Sequence, residues 1–274
     1  MQTKENNNVI AFFIGLFLII LIAIVTIFRS SFSQNSPDST NTQQQDIAIE
    51  NLKKSPRIST ADLIKKIQAQ SDVILLDIRP ETEYIREHIS NSQNVSIADI
   101  DETLKQLDKN KTYVIIDTDA LSDSVATIIN SLSSSEFSGI YYLEGGFSAW
   151  KNSFGPTISE GDPNKFVDQS KVSYIQTDKL KEMMVAGTNL AIIDVRKSTQ
   201  FNEGHLKGAI NIFLDDLEKR KKDIPIGKKI ILYDNDGLWA FKAAVRLFDM
   251  GFFNAFSFAD GLDNWKKKNY ELEK

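Results

Sequence analysis

The residues best placed to do chemistry are two acidic pairs, each at the end of an apolar run. Val114-Ile115-Ile116 leads into Asp117-Thr118-Asp119, and Ile231-Leu232-Tyr233 leads into Asp234-Asn235-Asp236. Two carboxylates in an Asp-x-Asp arrangement can act as nucleophile and general acid, or chelate a hard cation with help from backbone oxygens. The chain contains no cysteine, which removes disulfides, thiolate nucleophiles and Cys-ligated metals. His88 and His205 are its only histidines. Neither has a partner ligand at helical spacing, so both read as framework hydrogen-bonding groups rather than metal ligands.

These residues recur at a fixed offset of 117. Asp77-Ile78-Arg79, His88 and Asn94 return as Asp194-Val195-Arg196, His205 and Asn211, and Asp117 returns as Asp234. Glu144-Gly145-Gly146-Phe147-Ser148-Ala149-Trp150 answers to Asp260-Gly261-Leu262-Asp263-Asn264-Trp265, one residue shorter. A register kept over this span means that two whole domains are duplicated. Trp150 and Trp265 read as core anchors, and Arg79 and Arg196 as local ion-pair partners of the preceding aspartates.

The elements that must position these groups alternate. In the first copy, Ser59 to Gln68 predicts a helix, Val73 to Leu76 a buried strand ending at Asp77, and Pro80 a helix start. A brief strand from Asn94 to Ile97, a helix near Asp99 to Leu107 and the strand Tyr113 to Ile116 follow. A helix through Val125 to Leu132, the strand Ile140 to Leu143 and a short helix ending at Trp150 complete the unit. The second copy repeats this order from Thr177 to Trp265. Continuous apolar strands separated by helices imply parallel sheets covered on both faces, with reactive groups at the strands' carboxyl ends.

The duplicated motifs resemble the rhodanese-like family. Its pattern is followed by Asp194-Val195-Arg196, Phe201, Gly204-His205-Leu206 and Gly208-Ala209-Ile210-Asn211, with Gln200 in place of an acidic residue. The first copy keeps Asp77-Ile78-Arg79, Glu83-Tyr84, His88-Ile89 and Asn94, and Leu143-Glu144-Gly145-Gly146 with Trp150 carries the final motif. The resemblance covers about residues 58 to 270. It implies an α/β fold of two three-layer domains with parallel sheets.

It also implies a sulfurtransferase whose strand-end cysteine carries a persulfide and is followed by a loop bearing arginines. Here Asp117 and Asp234 stand at the cysteine's place and neither loop has an arginine, so no catalytic residue is assigned. Asp117, Asp119, Asp234, Asp236 and Trp239 are degenerate active-loop positions. A carboxylate oxygen is too hard to carry sulfane sulfur. In the family the loop's backbone N–H groups converge on an anion, and Asp117 or Asp234 could fill that nest with its own carboxylate. A neighbouring carboxylate at Asp119 or Asp236 would then repel an incoming anion by about 1 to 4 kcal/mol at close range. Trp239 admits two readings: an aromatic surface at the old pocket mouth, or a filler of the vacated pocket.

The Asp-x-Asp pairs also resemble the first motif of haloacid-dehalogenase-type phosphatases. The context differs, because that fold places the motif on its first strand and needs further lysine and acidic motifs that are not found here. Weak divalent-cation binding by the acidic loops is a further alternative. No metal or cofactor is assigned.

Composition bounds the remaining classes. With 42% apolar and 25% charged residues, the chain supports two globular cores. Arg57 to Pro156 holds nine Lys/Arg against fifteen Asp/Glu, and Val172 to Lys274 seventeen against fifteen. The first domain is acidic, and Lys219-Arg220-Lys221-Lys222 lacks interleaved aromatics, so nucleic acid is not an expected partner.

Val9 to Phe28 is uncharged and apolar, long enough as a helix to span about 30 Å of hydrocarbon. A cleaved signal peptide is the competing reading, though its apolar core is usually shorter. Lys4 and Arg29 flank the run without a clear charge bias, and the expectation is that the domains lie outside the cytoplasm.

The resulting organisation is a tail at 1–8, a single-pass transmembrane helix at 9–28 and a flexible polar stalk at 29–56. Domain 1 follows at 57–156, a linker at 157–171 and domain 2 at 172–274. The expected function is a membrane-anchored binding or scaffolding module without sulfur transfer, for an unidentified protein or peptide partner. Sulfurtransferase activity by descent, or hydrolysis at the acidic loops, is the alternative.

Overall fold

The computed structural model describes residues 56–119, 128, 137 and 139–274. The expected tail, the transmembrane helix, nearly all of the stalk and most of the helix placed at 125–132 lie outside the described residues. Among the described residues no helix is long and apolar enough to cross a membrane.

Two five-stranded parallel sheets form, one in each repeat. The first has the order β1(Arg57–Ile58), β6(Gly139–Leu143), β5(Thr112–Ile116), β2(Val73–Asp77), β4(Ser92–Asn94). The second has β8(Ser173–Ile175), β12(Ala255–Phe258), β11(Lys229–Tyr233), β9(Leu190–Asp194), β10(Ile210–Asn211). The connectivity is identical. Asp77 pairs with Ile116 and Asn94, as Asp194 pairs with Tyr233 and Asn211, so equivalent residues meet at the same sheet edge.

The continuous apolar strands have the physical reason expected of them. Side chains alternate between faces, and both faces are covered. Ala191, Ile193, Ile230 and Leu232 pack with Ala240, Phe241, Ala244 and Leu247 of α8(Leu238–Asp249). On the other face Ile192, Ile231 and Tyr233 pack with Leu180 of α6(Thr177–Val185) and Trp265 of α9(Gly261–Lys267). In the first repeat Leu63 of α1(Thr60–Gln68) and Trp150 of α4(Gly146–Asn152) fill the corresponding core. Ser59 caps α1 by accepting the Asp62 N–H at 3.1 Å. Trp150 and Trp265 are fully buried, and each indole N–H donates to a carbonyl six residues on, Pro156 at 3.2 Å and Glu271 at 3.1 Å.

Two local expectations shift. The strand placed at Asn94 to Ile97 lies instead at Ser92–Asn94, because Ser96 turns the chain by accepting the Ala98 N–H at 3.2 Å and opens a 3-10 turn at Ile97–Asp99. The segment at 157–171 carries β7(Thr157–Ser159) and α5(Phe166–Ser170). β7 runs antiparallel to β3(Glu87–Ile89), which follows α2(Glu81–Arg86). Domain 2 closes in a comparable way, with His205 and Glu273 exchanging two backbone hydrogen bonds of 2.9 Å.

β7 joins the two repeats. Its backbone pairs with domain 1, while Ile158, 2% exposed, packs in the core that α8 covers in domain 2. Ser159 follows, donating its N–H and hydroxyl to Asp249 Oδ2 at 3.0 and 2.7 Å, and Lys171 pairs with Asp249 at 2.8 Å. Truncating Ile158 to Ala removes packing at this joint and is expected to lower stability by about 2–5 kcal/mol. Urea unfolding followed by tryptophan fluorescence measures the loss.

Candidate active loops

Each site begins with an aspartate two residues before an arginine. In domain 2, Arg196 Nε and Nη2 donate to the Asp194 carboxylate, the shortest contact being 2.6 Å. Arg196 Nη2 also donates to the Gly204 carbonyl at 2.9 Å. Asn211 donates to the carbonyls of Asp194 and Arg196 at 3.0 and 2.8 Å. Domain 1 repeats the set: Arg79 bonds Asp77 and the Glu87 carbonyl, and Asn94 bonds the carbonyls of Asp77 and Arg79. Burial explains the completeness, since a buried charge must be paired and hydrogen-bonded. The local ion pairs anticipated for Arg79 and Arg196 are present in this form.

The ion pair reaches the loop in domain 2, where Arg196 Nη1 donates to Asn235 Oδ1 at 3.2 Å. In domain 1, Arg79 lies over the Phe147 ring at 3.6 Å. The start of the last helix then clamps the loop from below. Phe147 and Ser148 N–H donate to the carbonyls of Asp117 and Thr118, as Leu262 and Asp263 donate to those of Asp234 and Asn235. Gly146 and Gly261 allow this approach. A Cβ at Gly146 would stand 2.4 Å from the Asp117 oxygen, and one at Gly261 2.2 Å from that of Asn235.

Within the domain 2 loop, backbone N–H groups converge on Asp234. Gly237 and Ala240 donate to its Oδ1 at 2.8 and 3.4 Å, and Trp239 donates to Oδ2 at 3.0 Å. Asp236 Oδ1 accepts the Leu238 N–H at 3.0 Å. Gly237 makes the turn at φ 93° before α8, and its missing side chain leaves room for the Ala259 carbonyl. The N-terminal amides of α8 thus face carboxylates of the chain itself. The oxygens that accept these bonds are the ones a bound cation or a nucleophilic role would require. Among the described residues no group of three or more His, Asp or Glu is gathered for a metal ion.

Burial pushes the Asp234 carboxyl up to about 6, against the opposing pull of the Trp239 and Gly237 N–H groups, and the adjacent Asp236 adds to the rise.

In domain 1, Asp117 is half-buried and its Oδ1 accepts the Thr118 N–H at 2.7 Å. Asp119 is exposed. The remainder of that loop, from Ala120, lies outside the described residues. Trp239 is half-buried against the domain 2 core, its ring 5.7 Å from that of Phe213, while Leu238 beside it is 44% exposed. His88 and His205 stack on Tyr84 and Phe201 at 4.0 and 3.8 Å, and each Nδ1 meets the carbonyl of that aromatic residue. Sequence reasoning missed Asn235 as a partner of Arg196 and Gly237 as the turn that aims the amides. The Asn-x-Gly spacing in the loop was the available signal.

Comparison with known proteins places the chain. A model of the rhodanese-like domain matches twice, at residues 59–153 and 176–268. The chain belongs to the rhodanese-like domain family, as a tandem of two such domains. It is similar to the thiosulfate sulfurtransferase GlpE of Coxiella burnetii, 30% identical over 90 residues, which is 33% of this chain and 78% of that protein. It is also similar to the putative sulfurtransferase YtwF of Bacillus subtilis, 31% identical over 99 residues, 36% of this chain and 93% of that protein. Among solved structures, a rhodanese-related protein from Thermoplasma volcanium is 29% identical with a TM-score of 0.34, covering 38% of this chain and 97% of that one.

An aspartate whose folded pKa lies above its unfolded value of about 3.9 stabilises the fold fully below that value, and the contribution is lost as pH rises through the folded pKa. Domain 2 should therefore lose about 2 kcal/mol between pH 4 and pH 6 from this group. Asp234→Asn, which cannot ionise, should flatten that slope in urea unfolding curves across the same range.

Proposed function

We propose that this chain is a membrane-anchored tandem rhodanese-like protein that has lost sulfur transfer and works as a binding or scaffolding module. The observation that carries the reading is Asp234: its carboxylate accepts three backbone N–H bonds of the loop cradle, in a chain with no cysteine. Persulfide relay needs a soft thiolate to attack sulfur, hold it and release it, and a carboxylate oxygen supports none of these steps. In domain 2 the Gly237, Leu238, Trp239 and Ala240 amides are bonded to Asp234 and Asp236, which turns these donors away from an anion such as thiosulfate.

What the fold retains is a rigid scaffold presenting an altered loop. Leu238 and the half-buried Trp239 put apolar surface beside the acidic Asp236, a combination suited to a protein or peptide partner rather than nucleic acid. Anchoring is assigned to residues 9–28 and an extracytoplasmic position to the domains, on the strength of the uncharged apolar run and the polar stretch after it.

Sulfurtransferase activity is the second reading, favoured by the names of the two relatives above. Turnover of thiosulfate with cyanide by the purified chain separates the two: none is expected, and cyanide-dependent thiocyanate release by cysteine-free protein would remove the scaffolding proposal. Partner capture from membranes by the tagged chain is expected to fall several-fold with Trp239→Ala, and equal capture by the variant would move the binding surface elsewhere.

A further inference from the structure

In the second sheet β8, β12, β11 and β9 run parallel, so the segments that lead into them emerge at one edge, opposite the active loop. Domain 2 gathers exposed apolar side chains there. Phe253, 75% exposed, stands before β12, with its ring 5.1 Å from that of Phe248 at the end of α8. Ile226, 89% exposed, stands before β11, and the exposed Val185 ends α6 before β9. Phe166 and Val167 of α5, which leads into β8, are exposed as well. The Asn254 side chain donates to the Lys228 carbonyl and ties the β12 and β11 segments side by side.

Lysines flank these side chains. The basic run at 219–222 lies against the end of α8, where Lys221 Nζ donates to the Met250 carbonyl at 3.1 Å and stands 5.8 Å from the Phe252 ring. Lys222 and Lys228 are exposed, and Lys229 lies over the Phe256 ring at 4.4 Å. The carboxylates of this edge are engaged by other cations: Asp249 by Lys171 at 2.8 Å, Asp223 by Arg220 at 2.8 Å and Glu182 by Lys179 at 2.9 Å. Among the described residues this leaves Asp162, which accepts the Asn164 N–H at 2.9 Å, as the carboxylate here without a cation. The edge is thus positive in a chain whose net charge is −5.

Neighbouring strands lie about 4.8 Å apart, so these four segments spread over about 15 Å. A second copy docked face to face would set lysines against lysines, a residue scarce at protein interfaces. A bilayer carrying anionic lipid offers both complements, headgroups for the ammonium groups and an acyl boundary for the apolar tips. We propose that the amino-terminal edge of the domain 2 sheet docks on an anionic membrane surface. Docking rests on the anchoring assigned to residues 9–28 only for its proximity to a bilayer. The lysines meet the headgroups while Phe253, Ile226 and Val185 enter the interface. The active loop, at the opposite edge of the same sheet, then points away from the membrane, toward a soluble partner.

The absence of cysteine allows a direct test. The full chain carries a fluorophore either on Thr188→Cys, exposed in the turn before β9, or on Leu238→Cys, exposed at the start of α8 on the opposite edge. It is added to vesicles of phosphatidylcholine alone or of phosphatidylcholine mixed with phosphatidylglycerol, both containing nitroxide-labelled lipid. Flotation with the neutral vesicles reports the anchor, and quenching by the nitroxide reports docking. Quenching at Thr188→Cys should be several-fold stronger in anionic than in neutral vesicles, while Leu238→Cys should be quenched weakly in both. Ile226→Ser with Phe253→Ser should bring the quenching in anionic vesicles down to the neutral level. Lys222→Glu with Lys228→Glu should do the same by reversing the charge.

Equal quenching of the Thr188→Cys label in the two kinds of vesicle, quenching at Leu238→Cys as strong as at Thr188→Cys, or quenching that survives both paired substitutions would each overturn docking at this edge. Shielding of the Thr188→Cys label without lipid, rising with protein concentration, would assign the face to a second copy and overturn it too. A chain that does not float with neutral vesicles lacks the anchor. Docking is then decided by the anionic vesicles alone, where an unquenched Thr188→Cys label rejects it. If the apolar pair of substitutions fails to fold, the lysine pair, at exposed positions, decides.

Discussion

A buried carboxylate bound side-on by an arginine two residues later is the interaction on which each half of this molecule depends. Asp77 and Asp194 are fully buried, and Arg79 and Arg196 are 4% and 3% exposed. Ions taken so far out of water survive only with every lone pair and proton engaged. Satisfying the guanidinium draws in the carbonyl at the start of the histidine segment, and Asn94 or Asn211 ties the carbonyls of the pair to the edge strand. One ion pair therefore fixes three chain segments at the carboxyl edge of the sheet. The histidine that follows, which reads from the sequence as a framework group, stacks on the aromatic residue four positions earlier.

From that fixed edge the two repeats diverge. In domain 2 Arg196 extends to Asn235 and holds the loop, whose amides then close on Asp234. In domain 1 the guanidinium lies against Phe147. The same scaffold supports different loops because the clamp beneath them is made of backbone: Gly146 and Gly261 bring the last helix against the strand end whatever side chains the loop carries. A carboxylate in the cradle of domain 2 completes the helix N-terminus electrostatically, yet its burial raises the cost of ionising it. These opposing effects leave the Asp234 carboxyl pushed up to about 6.

Much of the fold was legible in the residues. Strands read as unbroken apolar runs because helices cover both faces of a parallel sheet, and Trp150 and Trp265 announced the last helix of each unit. The offset of 117 revealed the duplication, since equal spacing of Asp, Arg, His and Asn preserves equal sheet positions. β7 was not legible. Thr157-Ile158-Ser159 is too short to show alternation, and its strand character comes from pairing with β3 some seventy residues earlier. Nor could the contact of His88 with Glu218 be read, as 130 residues separate them and only domain packing brings them together.

Sequence alone determined the identity of the reactive atoms: an oxygen acid at each strand end, no sulfur nucleophile, and a duplicated α/β frame to hold them. Tertiary structure decided what those atoms face. The Asp234 carboxylate meets amides rather than solvent because a glycine turn and a helix start converge on it. The spare nitrogen of His88 meets a carboxylate because β7 pairs its backbone with one domain and buries its side chain in the other. Residue type sets what a group can do, but partners are set by folding, which joins segments that no local pattern links.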